Sequence, residues 1–150
     1  MPIISRKEIV GYTPEQMYEL VNDIKAYPQF LPWCVETTVH HQDEDEIKAS
    51  LVISGAGLQK TFTTHNRLQK NKMIEIRLVD GPFKHLEGFW RFDIVNQVVP
   101  KPRCQIAFDL EFEFSGLLAF ALGPIFHHMT STLIDAFTSR AEVVYGRPAE

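Results

Sequence analysis

From Cys104 to Phe114 the chain alternates without a fault. Cys104, Ile106, Phe108, Leu110, Phe112 and Phe114 share one parity; Gln105, Ala107, Asp109, Glu111 and Glu113 share the other. A period of two belongs to a strand, and one greasy face beside one acidic face belongs to an antiparallel sheet wetted on one side. Such a strand needs backbone partners along its edges and an apolar cover over its greasy face. Those two demands constrain the rest of the chain.

The partners are legible upstream. Ile3–Val10 reads as a first strand. A meander of strands then runs over 35–41, 47–54, Leu58–Gln69, 73–79, 83–95 and 103–114. Its turns are Asp43-Glu44-Asp45-Glu46, Gly55-Ala56-Gly57, Lys70-Asn71-Lys72 and Asp80-Gly81-Pro82, with a longer loop through Pro100 and Pro102. Between the first two strands Thr13, Pro14 and Gln16 carry the cap, first-turn proline and capping-box residue of a helix start. Met17, Leu20, Val21 and Ile24 then recur at helical spacing.

The cover comes last. Gly116 opens a helical pattern predicted to run to about Tyr145, with Leu118, Leu122, Ile125, Met129, Leu133, Ala136, Phe137, Arg140 and Val144 in phase. Gly123-Pro124 lies inside it and predicts a kink or a split. The fold class is therefore α+β: a curved antiparallel sheet of about seven strands wrapped around a long C-terminal helix, with one or two short helices after the first strand.

The 150 residues fit one domain, 1–150, and 45% apolar content is enough for a core. The N-terminal MPIISRKEIV lacks the apolar core of a signal peptide, and no window approaches a membrane span of about 20 residues. The expectation is a soluble, cytoplasmic protein that meets a membrane, if at all, from the side. Cys34 and Cys104 have no metal-type spacing and read as two reduced thiols.

One stretch asks for an explanation. YPQFLPWC, residues 27–34, is too apolar for a surface loop and too rich in proline for a helix. A short helical turn followed by extended chain is expected. Phe30, Leu31 and Trp33 then either plug one end of the core or form the rim of a cavity.

Four blocks together are specific: VNDIKAYPQFLPWC, KTFTTHNRL, LVDGPFKHLEGFWRF and the ending FEF…AFTSRAEVVY. Over nearly the whole chain they resemble the START-like helix-grip family that includes the coenzyme Q-binding proteins, in its bacterial ribosome-association toxin branch. The resemblance implies a non-enzymatic protein that holds ubiquinone or a similar isoprenoid lipid between sheet and helix and supports respiration. It also implies, as the alternative, docking on the large ribosomal subunit and interference with subunit association.

Inward parity then nominates the pocket. Phe62, Thr64, Asn66 and Leu68 come from one strand, Ile76 and Leu78 from the next, and Leu86, Trp90 and Phe92 from a third. Phe108, Leu110, Phe112 and Phe114 follow, then Leu118, Ile125, Met129, Leu133 and Phe137 from the helix. Thr64 and Asn66 are inward polar groups suited to the carbonyls of a quinone, because buried polar side chains need partners. Phe30 and Trp33, with Phe83 and Lys84 of GPFKHLEGFW, are expected at the mouth, rings beside a cation, as for docking on an anionic bilayer. An isoprenoid tail would be held by apolar burial, at about 25 cal/mol per Å2, which tolerates chain length.

Net charge is −4, but residues 58–103 carry nine Lys or Arg against four acids, and the remainder six against fifteen. Arg67, Arg77 and Arg91 lie on the parity opposite the greasy face. With Lys60 and Lys84 they predict a basic surface facing ribosomal RNA or anionic lipid; DNA is not expected. Enzyme signatures are missing: no nucleophile elbow, phosphate loop or nucleotide fingerprint. The adjacent pairs His40-His41 and His127-His128 diverge, and Cys34 sits among apolar residues where a thiol is inert. No catalytic residue, catalytic cofactor or metal is expected.

Overall fold

A computed structural model describes residues 3–95 and 103–147. Seven strands form a single antiparallel sheet: β1 (Ile3–Val10), β2 (Cys34–Gln42), β3 (Glu46–Gly55), β4 (Leu58–Gln69), β5 (Met73–Asp80), β6 (Phe83–Ile94) and β7 (Cys104–Phe114). The spatial order is β1-β7-β6-β5-β4-β3-β2, so β2 to β7 is a plain meander and β1 closes against its last strand. The loop through Pro100 and Pro102 lies outside the described residues.

β7 alternates buried and half-buried over all its positions, as its sequence demands. Gly88 of β6 allows the tight coil beside it. A Cβ there would stand 2.2 Å from the Asp109 carbonyl oxygen, so no larger residue lets the two strands approach this closely. Bulges at Phe83/His85, Thr63/Thr64, Cys34/Glu36 and Val39/His41 add further curl.

Between β1 and β2 stand α1 (Pro14–Asn22) and a 3-10 turn (Ile24–Gln29). The capping box is formed: the Gln16 amide donates to Thr13 Oγ1 at 3.1 Å and the Thr13 amide to Gln16 Oε1 at 2.9 Å. Pro28 is held inside the 3-10 turn, and extended chain resumes at Cys34.

The cover is three helices rather than one long one: α2 (Leu118–Ala121), α3 (Gly123–Ser131) and α4 (Leu133–Tyr145). The first break follows the expected Gly123-Pro124, with proline in the first turn of α3 where its missing N–H costs nothing. The second break, at Thr132, has no glycine or proline. Three successive hydroxyls cause it: Thr130, Ser131 and Thr132 donate back to the carbonyls of Phe126, His128 and Met129 at 2.7, 2.8 and 2.9 Å. Such back-bonding competes with the helical ladder and bends it.

Candidate functional site

Between the inner face of the sheet and the helices lies a cavity of about 90 Å3. Its floor is the sheet: Leu51, Phe62, Thr64, Asn66, Ile76, Leu86, Trp90, Phe108 and Leu110. Its roof is Phe126 and Thr130 of α3, Leu133 and Phe137 of α4, and Ile24, Tyr27, Leu31 and Trp33 of the 3-10 turn and the chain after it. That volume is well short of the ~300 Å3 at which ligand pockets begin.

Three buried polar side chains, Thr64, Asn66 and Thr130, stand on this otherwise apolar wall. Thr130 spends its hydroxyl on the Phe126 carbonyl. Asn66 is different: its Oδ1 is buried and has no hydrogen-bond partner. An orphan amide oxygen costs about 1–3 kcal/mol. Tyr27 is the one titratable group on the wall; its hydroxyl donates to the Val21 carbonyl, and burial holds the phenol well above its ordinary range. Among the described residues no carboxylate, amine, imidazole or thiol lines the cavity.

Of the residues nominated from sequence, Trp33, Phe62, Thr64, Asn66, Ile76, Leu86, Trp90, Phe108, Leu110, Leu133 and Phe137 reach the cavity. Phe83, Phe112 and Phe114 do not. They are packed around Phe126, with Phe83 stacked on Phe114 at 4.3 Å and Phe112 edge-on to Phe126 at 4.7 Å. Phe83 is therefore a buried ring and not a docking residue at a mouth. Phe92 turns to α1, meeting Tyr18 at 5.7 Å, and Leu68 is buried beyond the cavity. Ile125 and Met129 close one end, flanking Gly55, and Leu118 packs on the core from outside the cavity. Phe30 lies behind the lining: its ring meets Phe137 at 5.3 Å and carries the Arg140 guanidinium at 5.1 Å, while Arg140 donates to Gln29 Oε1 at 2.7 Å.

Leu31, read from sequence as core plug or rim, also lines the cavity, while sequence parity misses Ile24, Tyr27, Leu51, Phe126 and Thr130. The helical misses have one cause. Leu122, Phe126, Thr130, Leu133, Phe137 and Ala141 form the buried stripe, and in α3 Phe126 and Thr130 stand one position on from the expected Ile125 and Met129. The departure lies within α3, before the break at Thr132, and Phe126, its one phenyl ring, is the available signal.

The outer face corrects a second expectation. Arg67, Arg77 and Arg91 do lie on it, but register places Arg67 between Glu46 and Glu75, and Arg77 opposite Glu87. Arg91 stands 3.9 Å from Asp93, and β7 adds Asp109, Glu111 and Glu113 on the same parity. The sheet face is mixed, and acidic along β6–β7. Lys60 shares the inward parity of Phe62 at the end of β4, and Lys84 sits exposed at the Phe83/His85 bulge. Exposed cations gather instead at the β4–β5 turn, where Lys70 and Lys72 adjoin Arg91. Two groups of histidine and carboxylate lie outside the cavity. His41 meets Asp43 at 2.9 Å and Glu46 at 3.6 Å, and His85 meets Glu111 at 3.2 Å and Glu87 at 3.7 Å.

Cys34 and Cys104 are buried and unpaired, and burial pushes their thiols up to about 11 and about 12. They are inert at neutral pH.

A seven-strand sheet gripping a broken C-terminal helix over an apolar cavity finds its match in known proteins. The family of polyketide cyclases/dehydrases and lipid transport proteins matches residues 10–138. The chain belongs to this START-like family. It is 44% identical over 146 residues to the ribosome association toxin RatA of Escherichia coli K12, covering 97% of this chain and 90% of that one. It is 29% identical over 123 residues to the mitochondrial coenzyme Q-binding protein COQ10 of Drosophila melanogaster, covering 81% of this chain and 50% of that one. The aromatase/cyclase Zhui of Streptomyces sp. R1128 superposes with a TM-score of 0.79 at 16% identity, over 94% of this chain and 93% of that one, a likeness of fold alone. Among the described residues no helix of this START-like chain is long and apolar enough to cross a membrane.

Proposed function

We propose that this chain is a non-catalytic carrier of ubiquinone or a like isoprenoid lipid, working from the cytoplasm in support of respiratory electron transport. One observation carries the reading: a buried amide, Asn66, stands on an apolar cavity wall with its oxygen unpartnered. A quinone carbonyl only accepts, so it pairs with Asn66 once the amide has turned over to present its N–H2. The lining has no group to move a proton at neutral pH, which supports binding rather than a cyclase-like step. The cavity is too small for ring and tail as it stands. Entry displaces the roof at Tyr27–Trp33, which joins the sheet backbone only at its Trp33 end, where the carbonyl accepts from the Ser54 amide at 2.8 Å, and otherwise rests on side-chain contacts and its own turn.

The test is mass spectrometry of lipid extracted from detergent-free protein, then titration with short-tailed ubiquinone followed by tryptophan quenching. Bound quinone is expected, with uptake abolished in a folded Leu133→Trp variant. Asn66→Leu should retain the fold and bind at least 10-fold more weakly, the loss of one buried hydrogen bond. A protein that is empty and takes up none would sink the reading.

A second reading, association with the large ribosomal subunit, rests on the 44% identity to RatA across nearly the whole chain. Its surface in this fold is the β4–β5 turn, with Lys70, Lys72 and Arg91, rather than the mixed sheet face. Co-sedimentation with isolated large subunits should weaken steeply with salt and in Lys70→Glu/Lys72→Glu. Binding unchanged by both would remove that surface.

A further inference from the structure

The segment from Ser115 to Phe126, SGLLAFALGPIF, has twelve residues and no charge. Its inner side is spoken for: Leu118 and Ala119 pack on the core, Leu122 is buried against Gly55, and Phe126 lines the cavity. Its outer side is apolar as well. Leu117 and Phe120 are 84% and 83% exposed, the two most exposed large hydrophobic residues described, with Ala121 and Pro124 exposed beside them. A short helix that is apolar all round is ordinarily buried on every side.

We infer that Leu117 and Phe120 form a wedge that inserts into the apolar layer of a lipid bilayer. Size and chemistry choose the bilayer over a protein partner. The two side chains offer roughly 300–400 Å2, against about 800 Å2 per partner in a stable protein interface. They bring no hydrogen-bonding group, whereas a protein interface carries about one hydrogen bond per 100–200 Å2. A bilayer asks for neither area nor register. The charges at the same end of the adjoining strands are Lys60 of β4, Asp80 of β5, Lys84 of β6 and Glu113 of β7. Cations and acids balance, so insertion dominates over headgroup attraction and is only weakly salt-dependent. The wedge rests on this surface alone and stands whether or not the cavity holds a quinone.

The experiment is co-sedimentation of the full chain with vesicles of phosphatidylcholine and phosphatidylglycerol, at low and high salt. The wild-type chain should partition to vesicles at both. Leu117→Ser and Phe120→Ser should each weaken partitioning about 10-fold or more, from the apolar area withdrawn. Val143→Ser/Val144→Ser, on the exposed side of α4, should leave it unchanged while matching the wild type in thermal melting. Quenching of a Phe120→Trp variant by brominated lipid, above the background of Trp33 and Trp90, reports insertion directly. Absence of wild-type partitioning, equal partitioning of the serine variants, or a dimer that dissociates in them would overturn the inference. Quinone titration in lipid-free solution is scored separately, so failure of the wedge and failure of the cavity reading are distinguishable.

Discussion

The floor of the cavity belongs to a backbone ladder of seven strands, while its roof is two helices, α3 and α4, and a 3-10 turn held largely by side chains. Floor residues such as Trp90 and Phe108 stack at 4.3 Å on strands whose register allows no other placement. Roof residues such as Tyr27 and Phe30 are held by a phenol hydrogen bond, the Arg140 clasp, edge-on packing against Phe137 and the backbone bonds of their own turn, and the segment joins the sheet where the Trp33 carbonyl accepts from the Ser54 amide at 2.8 Å. The rigid floor keeps Asn66 in place, and a looser roof makes room. A space of about 90 Å3 that must enlarge to admit a lipid needs that asymmetry.

The comparison breaks most violently at Gly88. Gly88→Val places carbon against the Asp109 carbonyl, forces β6 from β7, and should cost at least about 4 kcal/mol or prevent folding. Urea unfolding of Gly88→Val beside a Gly57→Asn control, whose site is an open turn, measures it; near-wild-type stability would mean the floor is not rigid.

Phe137→Ala strikes the roof at its anchor, since that ring meets Tyr27, Phe30 and Trp90 within 5.5 Å. A loss of about 3 kcal/mol, at the low end for a buried ring, is expected because the cavity beside it lets the site relax. The enlarged cavity should also take up quinone faster in stopped-flow quenching. Slower uptake would reverse the assignment of the moving wall.

Alkaline titration separates the two walls by pH. The thiols of Cys34 and Cys104, on the two flanks of the sheet, are raised by burial to about 11 and about 12 from 9.0. A raised folded value favours the neutral form, so their stabilisation is complete below pH 9 and is lost as pH climbs through the folded values. Tyr145 of α4, whose hydroxyl donates to the Gln16 carbonyl at 3.0 Å, is raised to about 12 from 10.0, chiefly by burial. Its loss starts a unit higher, near pH 10. Cys104→Ala should flatten the limb from pH 9, whereas Tyr145→Phe should flatten only the limb from pH 10; identical limbs in both would refute the assignment.

The smallest expected effect is Arg140→Ala. The clasp is largely solvent-facing, so stability should fall by no more than about 1 kcal/mol. Quinone uptake should nevertheless quicken several-fold, because the clasp holds only the roof. An unchanged rate would place the opening elsewhere, at α2–α3.

Strand and turn patterns make the floor legible in the amino-acid order. Most floor residues follow from parity within their strand, which is why Phe62, Thr64, Asn66, Trp90 and Leu110 are nominated together while Leu51 of β3 is missed. Parity says which face a residue takes but not how full the space above it is. Phe112 and Phe114 therefore look as much like lining as Phe108, and only the packing of Phe126 over them sets them apart. The outer arginines mislead for a related reason: counting charge along residues 58–103 ignores the carboxylates that register brings across from β3 and β7.

Alternation, capping and turn chemistry are local, and the order of residues suffices to set them: seven strands, the start of α1, the greasy face and the need for a helical cover. Where the cover breaks a second time, and which stripe α3 buries, is settled only by folding in three dimensions. Three hydroxyls at 130–132 choose carbonyls of their own helix over solvent, and packing turns Phe126 and Thr130 inward. The size of the cavity, the unpartnered Asn66 and the exposed Leu117 and Phe120 are likewise outcomes of packing. They depend on distances between segments far apart in the chain, which no local pattern encodes.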